Sequence, residues 1–160
     1  MIVASPTRLL SRNYGVETSA GPWTELRFDD HAADAWFLVD GRSYRAQRTR
    51  GESAWRDIVR TLRGRALYQL EEDGVVVARA SGGGLRERYQ IWTEAGPEYA
   101  LREDGKQVQL VRDGVPLGHL GRRSGLSRGL WAELSADVPA PVGLFTIWLL
   151  LCRWETLHSA

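Results

Sequence analysis

VGLFTIWLLLCRW, residues 142–154, is apolar on every side of a helix and ends a chain otherwise patterned in short alternating strands. Leu144, Phe145, Ile147, Trp148, Leu149, Leu150 and Leu151 leave no polar stripe, so the helix must be enclosed all round rather than laid on a surface. Burying these side chains contributes on the order of 10–20 kcal/mol gross, at about 1.5–3 kcal/mol each, and a surface position would forfeit about half of that. A closed β-barrel is one structure that can surround a helix in this way. Pro139 and Pro141 mark the preceding boundary, and Pro141 suits a first-turn position.

Upstream of the helix, four Asp-Gly pairs punctuate the chain: Asp40-Gly41, Asp73-Gly74, Asp104-Gly105 and Asp113-Gly114. Asp-Gly is a preferred centre for a type I′ turn because both residues tolerate positive φ. Three pairs sit between clear strand patterns: Trp36–Val39 with Ser43–Ala46, Ala66–Leu70 with Val75–Ala80, and Val108–Val111 with Val115–Leu120. A further hairpin joins Tyr89–Trp92 to Tyr99–Leu101 through Glu94-Ala95-Gly96-Pro97. The alternation of apolar and polar residues predicts strands with one buried and one wet face. Residues 53–63 break the pattern, with Trp55, Ile58, Val59 and Leu62 at helical spacing between a capping Ser53 and Gly64. This spacing predicts a short amphipathic helix whose opposite face carries Arg56, Arg60 and Arg63.

The chain has 160 residues, one domain's length, with 21 basic and 20 acidic residues and a net charge of +1. That balance argues against a dedicated nucleic-acid binder. All basic residues but Lys106 are Arg, a bias that base composition explains more simply than bidentate anion recognition does. Cys152 is the single cysteine, which excludes an intramolecular disulfide and a Cys-rich metal site. Residues 1–13 lack the uninterrupted apolar core of a secretory signal. The 13 residues of 142–154 span about 20 Å as a helix, short of the ~30 Å hydrocarbon layer. The expected location is cytoplasmic, extending to peripheral membrane contact.

Three stretches carry a family resemblance: YQLEEDGVVVARA (68–80), LVRDGVPLGHLGRR (110–123) and LSADVPAPVGLFTIWLLLCRW (134–154). Together they resemble the tubby C-terminal-like superfamily, whose bacterial branch includes relatives of phospholipid scramblases and LURP-one-related proteins. The resemblance covers about residues 66–154. It implies a closed antiparallel barrel around a hydrophobic C-terminal helix, and lipid or membrane association in some members. It carries over no active site. The Arg-rich segment 53–63 has no counterpart in that pattern, and the first ~20 residues match none of it.

Positive charge is the strongest functional signal. Between Arg42 and Arg65 eight arginines face only Glu52 and Asp57. A basic amphipathic helix of this kind could lie on an anionic membrane, although a solvated face balanced by Glu71, Glu72 and Asp73 is the simpler reading. Arg122, Arg123 and Arg128 flank glycines in a loop whose exposed N–H groups could hold a phosphate, and a plain hairpin loop explains it as well. Ser81-Gly82-Gly83-Gly84 imitates a phosphate cradle but precedes a strand, not a helix. His31, His119 and His158 form no triad or metal spacing, and Ser124 lies outside any nucleophile elbow.

The sequence therefore predicts a mainly β chain: a closed antiparallel barrel over 1–160 enclosing a central helix at 140–154, with a poorly defined segment 1–22 and a short helix near 53–63. The expected function is a non-enzymatic, cofactor-free binding module. Its anion or lipid contacts are Arg56, Arg60, Arg63, Arg122, Arg123 and Arg128, and its expected partner is an anionic membrane surface. The alternative is a protein–protein adaptor or regulatory subunit docking an acidic partner. Neither reading involves nucleic acid or a metal.

Overall fold

The computed structural model describes residues 1–8, 12–29, 34–49, 66–82, 89–123 and 128–158. The helix expected over 53–63, with Arg56, Arg60 and Arg63, lies outside the described residues. The strands in chain order are β1 (Ile2–Pro6), β2 (Tyr14–Thr18), β3 (Gly21–Phe28), β4 (Ala35–Val39), β5 (Arg42–Arg48) and β6 (Ala66–Glu72). They continue as β7 (Val75–Gly82), β8 (Tyr89–Thr93), β9 (Glu98–Asp104), β10 (Gln107–Arg112), β11 (Val115–Arg122) and β12 (Leu130–Leu134), and helix α1 spans Ala140–His158. Each strand pairs antiparallel with its neighbours in sequence, and β1 closes on β12, so the sheet is a closed barrel with up-and-down order. Residues 1–22, which showed no strand pattern in sequence, supply β1, β2 and the start of β3, and β1 is the closing strand.

The expected enclosure of the helix is present. Leu144, Phe145, Ile147, Trp148, Leu149 and Leu150 are each fully buried, and Ala4, Leu26, Leu70, Ile91, Leu101, Leu110, Leu120 and Leu130 face them from strands around the barrel. Thr146, buried in the middle of α1, donates from Oγ1 to the Val142 carbonyl at 2.9 Å, so its hydroxyl is satisfied within the helix. Trp148 stacks on Phe145, with ring centroids 5.6 Å apart, and meets the edge of Tyr68 at 5.8 Å.

The turns behave as their chemistry demands, with one difference. Asp40, Asp73 and Asp113 adopt φ of 50°, 48° and 51°, each followed by a glycine at positive φ, as type I′ turns require. At the fourth pair Asp104 is the last residue of β9, pairs with Gln107, and does not have positive φ. The two loop residues there are Gly105 and Lys106.

Three register shifts have a common consequence. Between β2 and β3, β6 and β7, and β10 and β11, the ladder skips Trp23, Val77 and Leu117 respectively. A bulge residue leaves the strict in–out alternation, and each of these three packs against the core. All three lie near the end of the barrel at which α1 begins, where they help to fill the mouth around it.

Alternation places the remaining polar residues outside. Ion pairs Arg45–Asp34 (2.9 Å) and Arg79–Glu94 (2.8 Å), and a bond from Gln47 to Glu71 (2.8 Å), lie on the outer surface. An apolar interior with a charged exterior is the reverse of an outer-membrane barrel, whose outward band is apolar. Among the described residues no helix is long and apolar enough to cross a membrane.

Candidate functional site

The up-and-down order sorts the connections between two rims. At the entry rim, where α1 begins, the chain turns through Ser19-Ala20, Asp40-Gly41, Asp73-Gly74, residues 93–97, Asp113-Gly114 and residues 135–139. At the exit rim, where α1 ends, lie Gly105-Lys106, both ends of segment 50–65 at Thr49 and Ala66, and the connection from β11 to β12.

Charge is sorted the same way. The entry rim carries Asp40, Glu72, Asp73, Glu94, Asp113 and Asp137 against Arg42 and Arg112, and Arg42 is bound to Glu72 at 2.7 Å. That hydrogen bond and charge hold the Arg42 guanidinium above its ordinary pKa. The exit rim carries Arg48, Lys106, Arg122, Arg123, Arg128 and Arg153. Its acids are largely engaged: Asp34 with Arg45, Glu103 with Arg153, and Asp104 as acceptor from Gln109 at 2.8 Å. This polarity complements the helix macrodipole, whose positive end faces the acidic rim and whose negative end faces the basic one. The first turn of α1 has no acidic residue of its own, so the complementing carboxylates come from the barrel.

At the exit rim the inward positions are occupied by unusual side chains. On β5, Tyr44 and Ala46 point into the core, and Arg48, two residues on, shares their face opposite Tyr68. On β11, Arg122 shares the face of the buried Leu120, and its guanidinium carbon lies 5.0 Å from the ring centroid of Trp154. Arg153 of α1 is bound to Glu103 at 2.5 Å with its side chain only 10% exposed, and burial pushes its guanidinium below the ordinary value. Beneath them Tyr68 and Tyr89 lie 5.9 Å apart, and Cys152 is half-buried. Burial raises the hydroxyl of Tyr68, partly opposed by Arg48; burial and then Tyr68 raise that of Tyr89 well above the usual tyrosine range.

Of the arginines singled out in sequence, Arg122, Arg123 and Arg128 share this rim but not one orientation. Arg122 stacks on Trp154, Arg123 donates from Nη1 to Ser5 Oγ at 3.3 Å, and Arg128 is exposed. The Arg123 N–H donates to the Gly129 carbonyl at 3.0 Å, which pins the two ends of their connection. Sequence reasoning counted Arg48 only within the Arg42–Arg65 charge cluster and missed Arg153 and the seat of Trp154. For Arg48 a signal existed, since Tyr44-x-Ala46-x-Arg48 alternates on the inward face.

The remaining candidates separate. His119 sits on the outer face of β11 between Gln109 and Glu133, its Nδ1 buried without a hydrogen bond. His31, Ser124 and the side chain of His158 lie outside the described residues, and Gly82 ends β7 rather than opening a helix. No group of three His, Cys, Asp or Glu suited to a metal ion occurs among the described residues. None of the family models, curated proteins or solved structures compared with this chain matches it.

Proposed function

We propose that this barrel is a non-enzymatic binding module that meets an anionic surface, lipid head groups at a membrane, through its exit rim. The observation that carries this reading is the segregation of charge between the two rims. Among the described residues, Arg122, Arg123, Arg128 and Lys106 lie at one end of the molecule, where the acids Asp34, Glu103 and Asp104 are engaged, while Asp40, Glu72, Asp73, Glu94, Asp113 and Asp137 lie at the other. A charge dipole of this kind orients the molecule in the field of an anionic leaflet, where each basic residue near the surface contributes about 1 kcal/mol. Trp154 supports one of the cations, and Leu67, 41% exposed at the second position of β6, adds apolar surface beside the rim. The architecture, a closed barrel around an apolar helix, is the one that resemblance to the tubby C-terminal-like superfamily implies, and lipid association in some of its members points the same way.

Co-sedimentation with neutral and anionic vesicles, at about 50 and 300 mM salt, tests the reading. Binding to anionic vesicles only, weakened by salt, is expected. Replacing Arg122, Arg123 and Arg128 together by Gln removes about 3 kcal/mol, a loss on the order of a hundredfold. Equal sedimentation with neutral vesicles, or no loss in the triple variant, would sink it.

A further inference from the structure

A second site lies on the outer wall, distinct in chemistry from the exit rim. A groove of about 210 Å³ runs across β8, β9 and β10. Its floor is Ala100, a small side chain among larger neighbours, and Val111. Val111 belongs there by the alternation of β10: Leu110 enters the core, while Val111, paired with the outward Ala100, is only 3% exposed yet lies outside the core cluster. Trp92 forms one wall, half-buried, with Glu98 directly opposite it across the β8–β9 ladder. Asp113 adds a second carboxylate from the β10–β11 turn, and Arg102 stands at the other end.

Two features of this groove bear on what it could hold. Several charged pairs lie elsewhere on the outer wall, as in Arg79–Glu94 and Arg45–Asp34. In the groove Glu98, Asp113 and Arg102 have no hydrogen-bond or ion-pair partner among the described residues, although all three line one depression. Size then limits the ligand. Pockets for small molecules hold about 300–1,000 Å³, so this one suits one or two side chains rather than a cofactor. A guanidinium matches the two-carboxylate end: it stacks on Trp92 as a flat cation and offers several N–H donors to Glu98 and Asp113. Arg102 is four residues further along β9, about 13 Å at ~3.3 Å per residue, and calls for a carboxylate at that spacing.

We infer that the β8–β10 groove is a docking site for an extended segment of a partner protein carrying an arginine and, four residues away, an acidic residue. Both neighbours of β9 are already paired along the groove, so recognition is by side chains and not by strand addition. The site is independent of the exit rim and of lipid.

The probe is the blocked peptide acetyl-GRSGSEG-amide at millimolar concentration, followed by amide and indole NMR shifts of the intact protein. Saturable shifts of the Trp92 indole and the Gly114 amide are expected, with none at Trp154. Glu98→Gln with Asp113→Asn weakens binding about tenfold, two exposed charge contacts at up to about 1 kcal/mol each; asparagine keeps the positive φ that residue 113 needs. Arg102→Gln weakens binding of this peptide but not of acetyl-GRSGSQG-amide. Absence of shifts at Trp92 and Gly114 overturns the assignment. So does equal binding of a peptide with Gln in place of Arg, or an affinity unchanged by the paired substitution.

Discussion

Single residues show where the barrel tolerates no change. A Cβ added at Gly118 would collide with the Glu133 carbonyl oxygen and the Cα of Leu134, both fixed by the β11–β12 ladder. At Gly121 the added carbon would meet the Trp131 ring at 2.8 Å, and a side chain can swing aside where a backbone cannot. Gly118→Ala is therefore expected to cost about 3 kcal/mol and Gly121→Ala about 1 kcal/mol, read as shifts in denaturant midpoint at constant slope. Tyr89 gives the corresponding pH dependence. Its folded-state pKa is raised, by burial first and then by Tyr68, so the neutral hydroxyl is the form the barrel accepts. Its contribution is complete below the ordinary tyrosine value of 10.0 and is lost as pH rises above it, because the unfolded chain ionises first. Stability should fall above about pH 10, and Tyr89→Phe should flatten that limb in circular-dichroism melts. Neither the fixed backbone facing Gly118 nor the environment of Tyr89 was legible from sequence, since each depends on which strand lies alongside.

Among the elements, identical dipeptides part company. Asp113-Gly114 and Asp104-Gly105 read alike, yet only Asp113 occupies the left-handed region; Asp104 ends a strand in ordinary conformation. Asp113→Ala should cost up to about 1 kcal/mol, because both residues carry a Cβ but only the short polar side chain of Asp offsets the left-handed conformation by bonding locally to the backbone, while Asp104→Ala forfeits only an exposed bond from Gln109. Thermal midpoints of the two variants check this directly. The distinction also marks the reach of sequence reading. Alternation and three of the four Asp-Gly turns revealed most strands from β4 to β11, and the unbroken apolar face of residues 142–154 required enclosure. The bulges at Trp23, Val77 and Leu117 were hidden, because a ladder that skips one residue is a property of two strands together. So was the groove around Val111, which takes β8, β9 and β10 lying side by side. The exit-rim arginines were half legible: Arg122 and Arg123 stood out as a pair, but not that one turns inward to Trp154 and the other outward to Ser5.

At the scale of the molecule, closure is the property on which everything else rests, and it depends on the segment least readable in sequence. Ile2, Val3 and Ala4 pair with Ala132, Trp131 and Leu130, joining strands more than a hundred residues apart through three residue pairs. On the other side Ile2–Pro6 pairs with β2 along its whole length. Nothing in the helix can compensate for a missing strand, since α1 is apolar on every face and needs a wall everywhere. A chain beginning at residue 8 would bare the edges of β2 and β12 and uncover the helix between them, a combination of unpaired edge and apolar surface that favours aggregation. The expected result is loss of the monomeric species in size-exclusion chromatography and dye binding by exposed apolar surface. Adding the missing strand in trans, as a peptide of residues 1–8, should restore a monodisperse complex, because the groove it fills is flanked by two matching ladders. A chain from residue 8 that stays monomeric and melts cooperatively without the peptide would mean that β1 lies along the barrel without closing it.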